Sequence, residues 1–358
     1  MKTFVATLIS VWLVSGLCAA ESKLYLTLSD SFNSPASADV DKAQNIYFTS
    51  PNFHNDALIK EGVITKPEAA TIGKIDKAGK LTTWYTFKPE DMEPKSGKVA
   101  PMGIAFGPDG NAYVADMQLW FGGESRILRI NVKNGQAVST DVVAKGFSFP
   151  NAIVWKGNDM FVSDTVFKTE KGKQTISGNY KIAFKELSAK KPLIIKPYVD
   201  AKNHDSHLFD TFLSNGVLGF GANGLTVDGE GNLYTSIMED GTVLKTTMDK
   251  ANNKIKTTLF AKGMMATDGF KWDKRTNKLY MADLFANAIY AIDMNGNLTL
   301  LASNGDTYGE HGEIDGPSEL IVRGNELIVM NFDAVFPDPR MINKKADRVH
   351  TLSVITLP

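Results

Sequence analysis

One pattern occurs six times along this 358-residue chain, and it limits what the chain can fold into. Each copy joins a short turn segment, an alternating apolar strand, a polar Gly/Asn/Asp turn and a second strand that ends in a small or acidic residue. The copies are SPASADVDKAQNIYFTS from Ser34, PMGIAFGPDGNAYVAD from Pro101, PNAIVWKGNDMFVSD from Pro150, ANGLTVDGEGNLYTS from Ala222, TDGFKWDKRTNKLYMAD from Thr267 and PSELIVRGNELIVMN from Pro317. The turns Pro108-Asp109-Gly110-Asn111, Gly229-Glu230-Gly231-Asn232 and Arg323-Gly324-Asn325 are hairpin chemistry, because Gly and Asn tolerate the positive φ of a tight turn. Weaker strands follow each pair, such as RILRINV from Arg126, TVLKTTM from Thr242 and AIYAIDM from Ala288. A further strand comes next at residues 138–143, 257–260 and 298–301.

The unit is therefore about four antiparallel strands. Its starts, at 35, 101, 150, 222, 267 and 317, are separated by 66, 49, 72, 45 and 50 residues. A basic unit of 45–50 residues with insertions in the first and third intervals is the period of propeller blades. The expectation is an all-β chain forming one six-bladed β-propeller over residues 21–358. A strand at residues 24–28 or 351–357 is expected to complete a shared blade and close the ring, since an open sheet leaves its edges exposed. Two β-sandwiches would not explain six copies of one pattern. Beyond short turns near residues 89–92 and 209–213, no amphipathic helix is expected.

The first twenty residues read as an export signal: Lys2, a mostly apolar run over residues 4–14, then small residues ending at Ala19 and Ala20. Cleavage between Ala20 and Glu21 would remove Cys18, the single cysteine, and shift the net charge from −1 to −2. The expected location is periplasmic or secreted, with no stable membrane insertion after cleavage. A lone cysteine excludes a disulfide framework and a cysteine-built zinc site. The balance of 39 basic and 40 acidic residues gives no footprint for nucleic acid. GxGxxG at a strand–helix junction, Walker and GxSxG patterns are absent, so phosphate cradles and serine nucleophiles have no support.

In a propeller the innermost strands line a central channel, so the residues just before them gather at one mouth. The position after each repeat start holds Ala36, Met102, Asn151, Asn223, Asp268 and Ser318. The next holds Ser37, Gly103, Ala152, Gly224, Gly269 and Glu319. Asn151, Asn223, Asp268 and, one step out of register, Glu319 could bring oxygen donors to one ring, a set suited to Ca²⁺ or another hard divalent cation. Asn-Gly and Asp-Gly are also ordinary turn dipeptides; the shared register of three of these residues is what favours ligands.

The segments FPNAIVW, GANGLTVDGEGNLY and ATDGFKWD resemble the senescence marker protein/gluconolactonase/luciferin-regenerating enzyme family and its relatives, the paraoxonases and strictosidine synthase-like proteins. The resemblance runs over residues 34–357 and is strongest over 101–283. It implies a six-bladed propeller with a central divalent metal, usually calcium, held here by Asn151, Asn223 and Asp268. The family also uses a glutamate at the start of its first blade, where this chain has Ala36; Glu319 of the last blade is the candidate to fill the gap.

The expected activity is hydrolysis of a small-molecule lactone or related ester by a monomeric protein. Asp268 is the central residue, Glu319 the alternative base, and His204 and His207 in NHDSHLFDTF form a candidate lid or base. A surface loop is the plainer account of that histidine pair. His311 in GEHGEID lies near the expected mouth. Trp120 and Phe121, with Phe167 and Phe285 in related places, suggest a partly apolar rim, and Met102 packing beneath. Two other readings stand beside the hydrolase: a propeller lyase using a metal and a histidine pair, and a ligand-binding propeller whose metal is structural.

Overall fold

Residues 21–169 and 174–358 are described by the computed structural model, in which each sequence repeat forms the two innermost strands of one antiparallel sheet. The expected export segment, Cys18 included, lies outside the described residues. The first blade contains Ser37–Val40, Ile46–Ser50, Thr71–Ile75 and Leu81–Thr86, and the second Pro101–Phe106, Ala112–Asp116, Ser125–Lys133 and Gln136–Phe147. The third contains Pro150–Lys156, Asp159–Thr169, Thr175–Ala183 and Leu208–Ser214, and the fourth Ala222–Val227, Leu233–Ile237, Thr242–Met248 and Lys254–Lys262. The fifth contains Thr267–Asp273, Lys278–Asp283, Ala288–Ile292 and Leu298–Ser303.

The sixth blade closes the ring. Its order from the axis outward is Pro317–Arg323, Glu326–Asn331, His350–Thr356 and Lys23–Leu28. Both candidate closing strands are used: the first strand of the chain becomes the outer edge of the last blade, antiparallel to the C-terminal strand. The six inner strands each pack against the next in succession, and the sixth against the first. This is a six-bladed β-propeller, as the repeat predicts.

Apolar side chains fill the spaces between neighbouring blades. Tyr113, Ile127, Met160 and Ile182 join the second and third blades, and Ile46, Phe48, Ile328 and Leu352 join the sixth and first. Strands packed on both faces must be apolar on both, hence the near-continuous hydrophobic runs of the second strands. The hairpin turns use one device three times. Asp41, Asp109 and Asp228 each accept N–H bonds from the turn backbone, and each is held by a following Asn and the hydroxyl of a Tyr: Asn45 and Tyr47, Asn111 and Tyr113, Asn232 and Tyr234.

The insertions lie where the spacing places them. The first interval holds a short helix, Asn55–Lys60, which the sequence reading did not anticipate, and a 3₁₀ turn at Pro89–Asp91 near the turn it did. In the third interval, residues 209–213 belong to a strand instead of a turn: Leu208–Ser214 is the outer strand of the third blade, paired with Thr175–Ala183. Leu193–Ile194 crosses back as a fifth strand on the second blade, parallel to its outer strand. No helix among the described residues is long and apolar enough to cross a membrane.

Candidate functional site

The ring positions owe their direction to bulges. In five of the six inner strands the pairing register shifts at the ring residue: between Pro101 and Ile104, Pro150 and Ile153, Ala222 and Leu225, Thr267 and Phe270, and Pro317 and Glu319. A bulge re-aims a side chain and breaks the regular ladder. Here it turns the ring residues toward the axis, and Ala36, Met102, Asn151, Asn223, Asp268 and Ser318 all line one central pocket.

In four of these five strands the residue after the ring position is Gly or Ala, and for the three glycines the reason is crowding of the inner strands at the axis. A Cβ on Gly103 would stand 2.2 Å from the carbonyl oxygen of Asn151, and one on Gly224 would stand 2.4 Å from that of Asp268. On Gly269 it would meet Glu319 Oε1 at 2.5 Å. Asn223-Gly224 and Asp268-Gly269 are therefore not turns, the alternative that the dipeptides left open; the glycine is required by close approach.

Two sets of bonds hold the ring residues. In the second, third and fifth blades an aspartate of the second strand clamps the backbone just ahead of its own inner strand. Asp116 accepts the Ala100 N–H (2.8 Å), Asp164 that of Phe149 (2.6 Å), and Asp283 that of Ala266 (2.9 Å). Asn331 accepts from Asp315 in the sixth blade (3.2 Å). Hydroxyls then stitch blade to blade through the ring carbonyls. Thr49 donates to Met102 (2.6 Å), Ser163 to Asn223 (2.5 Å), Ser236 to Asp268 (2.9 Å) and Ser318 to Ala36 (2.9 Å). Those carbonyl oxygens are thereby engaged, and the ring offers a ligand its side chains.

Asp268 is the one carboxylate in the pocket lining. Burial pushes its carboxyl well above the usual carboxylate range, and the nearby charge of Glu319 pushes it further, against hydrogen bonds from Asn223 and the Gly269 N–H. Asn151 donates to the Thr165 hydroxyl (3.4 Å), and Asn223 Nδ2 also lies 3.5 Å from Met238 sulfur.

Glu319 does not stand on the ring. One residue past Ser318, its Oε2 takes hydrogen bonds from Lys271 Nζ (3.0 Å) and Ser37 Oγ (3.3 Å), and its Oε1 one from the Leu320 N–H. Asp39, which accepts the Phe106 N–H, also feels the Lys271 charge. Lys271 thus pairs with Glu319 in a second tier beside Asp268.

The divalent-cation expectation can be tested on this donor set. One carboxylate and two amides form an oxygen-only set of the kind hard cations take, and water or substrate would have to complete the coordination. The lysine in this part of the channel is bonded to Glu319, and among the described residues no cationic side chain pairs with Asp268. Asn151, Asn223 and Asp268 fit such an ion; the side chain of Ala36 cannot contribute.

The histidines expected near the mouth are elsewhere. His207 Nδ1 bonds Asp205 (2.7 Å) and its Nε2 bonds Glu186 (3.2 Å), while His204 stacks on Tyr198 with rings 6.4 Å apart. None of His204, His207 and His311 lines the pocket. Asp205 also accepts the Lys196 and His207 N–H groups, and the His207 carbonyl accepts the Lys181 N–H of the third blade. Of the aromatic candidates, Trp120 lines the pocket, whereas Phe167 packs on Tyr180 and Tyr198, and Phe285 is fully buried. Sequence reading missed Phe149 and Phe220, two residues before an inner strand position, and Phe332 and Phe336 in the last long loop. A phenylalanine two residues ahead of Asn151 and three ahead of Asn223 was the available signal.

A second convergence of carboxylates was not expected. Asp315, Asp333 and Asp347, all buried, bring one oxygen each to within 4.8 Å of one another beside the sixth blade. Asn343 donates to Asp315 (2.6 Å) and Asp333 (3.1 Å), and Lys345 pairs with Asp347 (3.2 Å). Burial and mutual repulsion push Asp315 up to about 7 and Asp333 up to about 9.

Known structures share this architecture. A luciferin-regenerating enzyme superposes with a TM-score of 0.57 over 94% of this chain and 96% of its own, at 13% identity. The chain has the six-bladed propeller fold of that enzyme. A protein described as a gluconolactonase gives 0.54 at 12% identity over 96% and 93%. The PQQ-bound aldose sugar dehydrogenase of Streptomyces coelicolor gives 0.55 at 14% identity over 94% and 98%. At such identities the likeness is one of propeller fold. No protein-family model and no curated protein matches the sequence.

Proposed function

We propose that this propeller is an exported, divalent-cation-dependent hydrolase of a lactone or related ester. The observation that carries the reading is the convergence, at bulges, of Asn151, Asn223 and Asp268 on an axial pocket in which, among the described residues, Asp268 has no cationic partner. A cation held by these residues supplies Lewis-acid polarisation of a carbonyl oxygen. Asp268 orients the attacking water and takes its proton as the water oxygen bonds to the carbonyl carbon. The ring C–O bond then breaks, and that proton passes to the departing alkoxide. Asn151 and Asn223 fix the direction of approach, and the surrounding apolar walls limit competing water. That His204 and His207 do not line the pocket favours the hydrolase over the lyase reading.

Metal analysis of the purified protein, with turnover on a panel of lactones and aryl esters before and after chelation, tests the proposal. One bound divalent ion and activity lost on chelation, while the protein stays folded, are expected. A metal-loaded protein that hydrolyses nothing in the panel refutes the hydrolase. A metal whose removal lowers stability in a catalytically silent protein supports the ligand-binding reading. The export part rests on the first twenty residues, and sequencing of the mature N-terminus should begin at Glu21.

A further inference from the structure

We propose that the ligand of this site is an apolar or aromatic ester, such as an alkyl-substituted lactone, and not a polyhydroxylated sugar lactone. This rests on the hydrolase reading for the ester, but on the pocket alone for the apolar part. Above the polar ring the wall is aromatic and continuous. Trp120 meets Phe149 with ring centroids 5.3 Å apart, Phe149 meets Phe220 at 6.0 Å, and Phe220 meets Phe336 at 5.5 Å. Phe53 extends the chain on the other side, 5.6 Å from Trp120 and 5.9 Å from Phe332. Met102, Met238 and Leu284 fill the remaining lining.

The polar groups of the pocket are few and mostly engaged. The Ser318 hydroxyl is bonded to the Pro35 and Ala36 carbonyls, and the Thr165 hydroxyl to the Ala222 carbonyl. The Asn223 amide N–H faces Met238 sulfur and Asp268. The Asn151 amide oxygen and Asp268 are left to hold the cation and, through it, one ester group. The hydroxyls of a sugar lactone would enter without partners, and a buried polar group without a partner is penalised. An alkyl or aryl substituent would instead remove apolar surface from water on both sides.

One wall residue faces solvent. Trp120 is 45% exposed and its neighbour Leu119 46%. They sit on a 3₁₀ turn, Leu119–Phe121, that ends at Gly122 in the left-handed region with φ 70°. An exposed Trp beside an exposed Leu at a pocket mouth is an anchor for an apolar group, because its large rigid face costs little side-chain entropy to use.

The test compares hydrolysis of δ-dodecanolactone and phenyl acetate with hydrolysis of glucono-1,5-lactone. It also measures binding of the six-membered lactam bearing the same alkyl chain, and of gluconolactam, by tryptophan fluorescence and calorimetry. Wild type should prefer the alkyl lactone by at least about 10-fold in kcat/KM. Trp120→Ala should weaken alkyl-lactam binding by about 10-fold with the melting temperature unchanged, and Trp120→Phe should restore most of it. Equal or tighter binding of gluconolactam, or a preference for glucono-1,5-lactone, overturns the inference. If no ester is hydrolysed yet the alkyl lactam binds and depends on Trp120, the hydrolase reading fails and the apolar ligand class stands.

Discussion

Two groups of oxygen-bearing side chains converge in this propeller, and they were built in opposite ways. The axial ring of Asn151, Asn223 and Asp268 comes from equivalent positions of three successive blades. The cluster of Asp315, Asp333 and Asp347 comes from three unrelated places in one stretch: the turn before an inner strand, the residue after Phe332, and the loop leading to the C-terminal strand. Their electrostatics differ accordingly. The ring dilutes one carboxylate with two neutral amides and keeps a second acid, Glu319, paired with Lys271. The cluster sets three buried carboxylates against one another, relieved by the Asn343 amide, the Asp347 N–H donated to Asp333, and Lys345. Symmetry positions the first; irregular loops gather the second.

The largest expected effect falls on the ring. Asp268→Ala should lower kcat/KM by about 10³-fold, the scale of losing a principal electrostatic group, and should abolish the bound divalent ion in metal analysis. Activity retained within tenfold would remove Asp268 from the centre of the mechanism.

Next is the tier beneath it. Lys271→Met leaves Glu319 buried without its counter-ion and should cost about 3 kcal/mol in a denaturant titration. Adding Glu319→Leu should recover most of that loss. If the single variant unfolds like wild type, Lys271 does not compensate Glu319, and the contrast between a balanced axis and a strained rim weakens.

The rim should show itself through pH. Asp315 near 7 and Asp333 near 9 hold their protons more tightly folded than unfolded, where carboxylates titrate near about 4. Stability is therefore lost as pH rises from about 4 through those values. The melting temperature should fall between pH 5 and 8. Asp333→Asn should flatten that slope and raise the melting temperature by about 2 °C at pH 8, with no gain at pH 4. A slope unchanged by Asp333→Asn would show that the three acids are relieved in some other way.

The smallest effect belongs to the third-blade loop. His204→Ala and His207→Ala should each change kcat/KM by less than about twofold, since neither ring reaches the pocket. A larger loss, or an altered pH profile, would return that loop to the chemistry.

The sequence by itself determined the repeat and, through it, the blade count, the approximate strand order and the register of the ring, because a fixed period maps equivalent residues to equivalent places around an axis. Asn151, Asn223, Asp268 and even Ala36 were legible for that reason. Only the tertiary structure decided what does not repeat. It made the Asn-Gly and Asp-Gly pairs bulged strands, because the inner strands approach too closely for a Cβ. It gave Glu319 to Lys271, two residues whose partnership spans two blades. It bound His207 to Asp205 and Glu186, raised an aromatic wall from Phe149, Phe220, Phe332 and Phe336, and gathered three aspartates from irregular loops. Periodicity constrains the residues that obey it; side chains on the insertions answer to the particular neighbours that the closed ring brings to them.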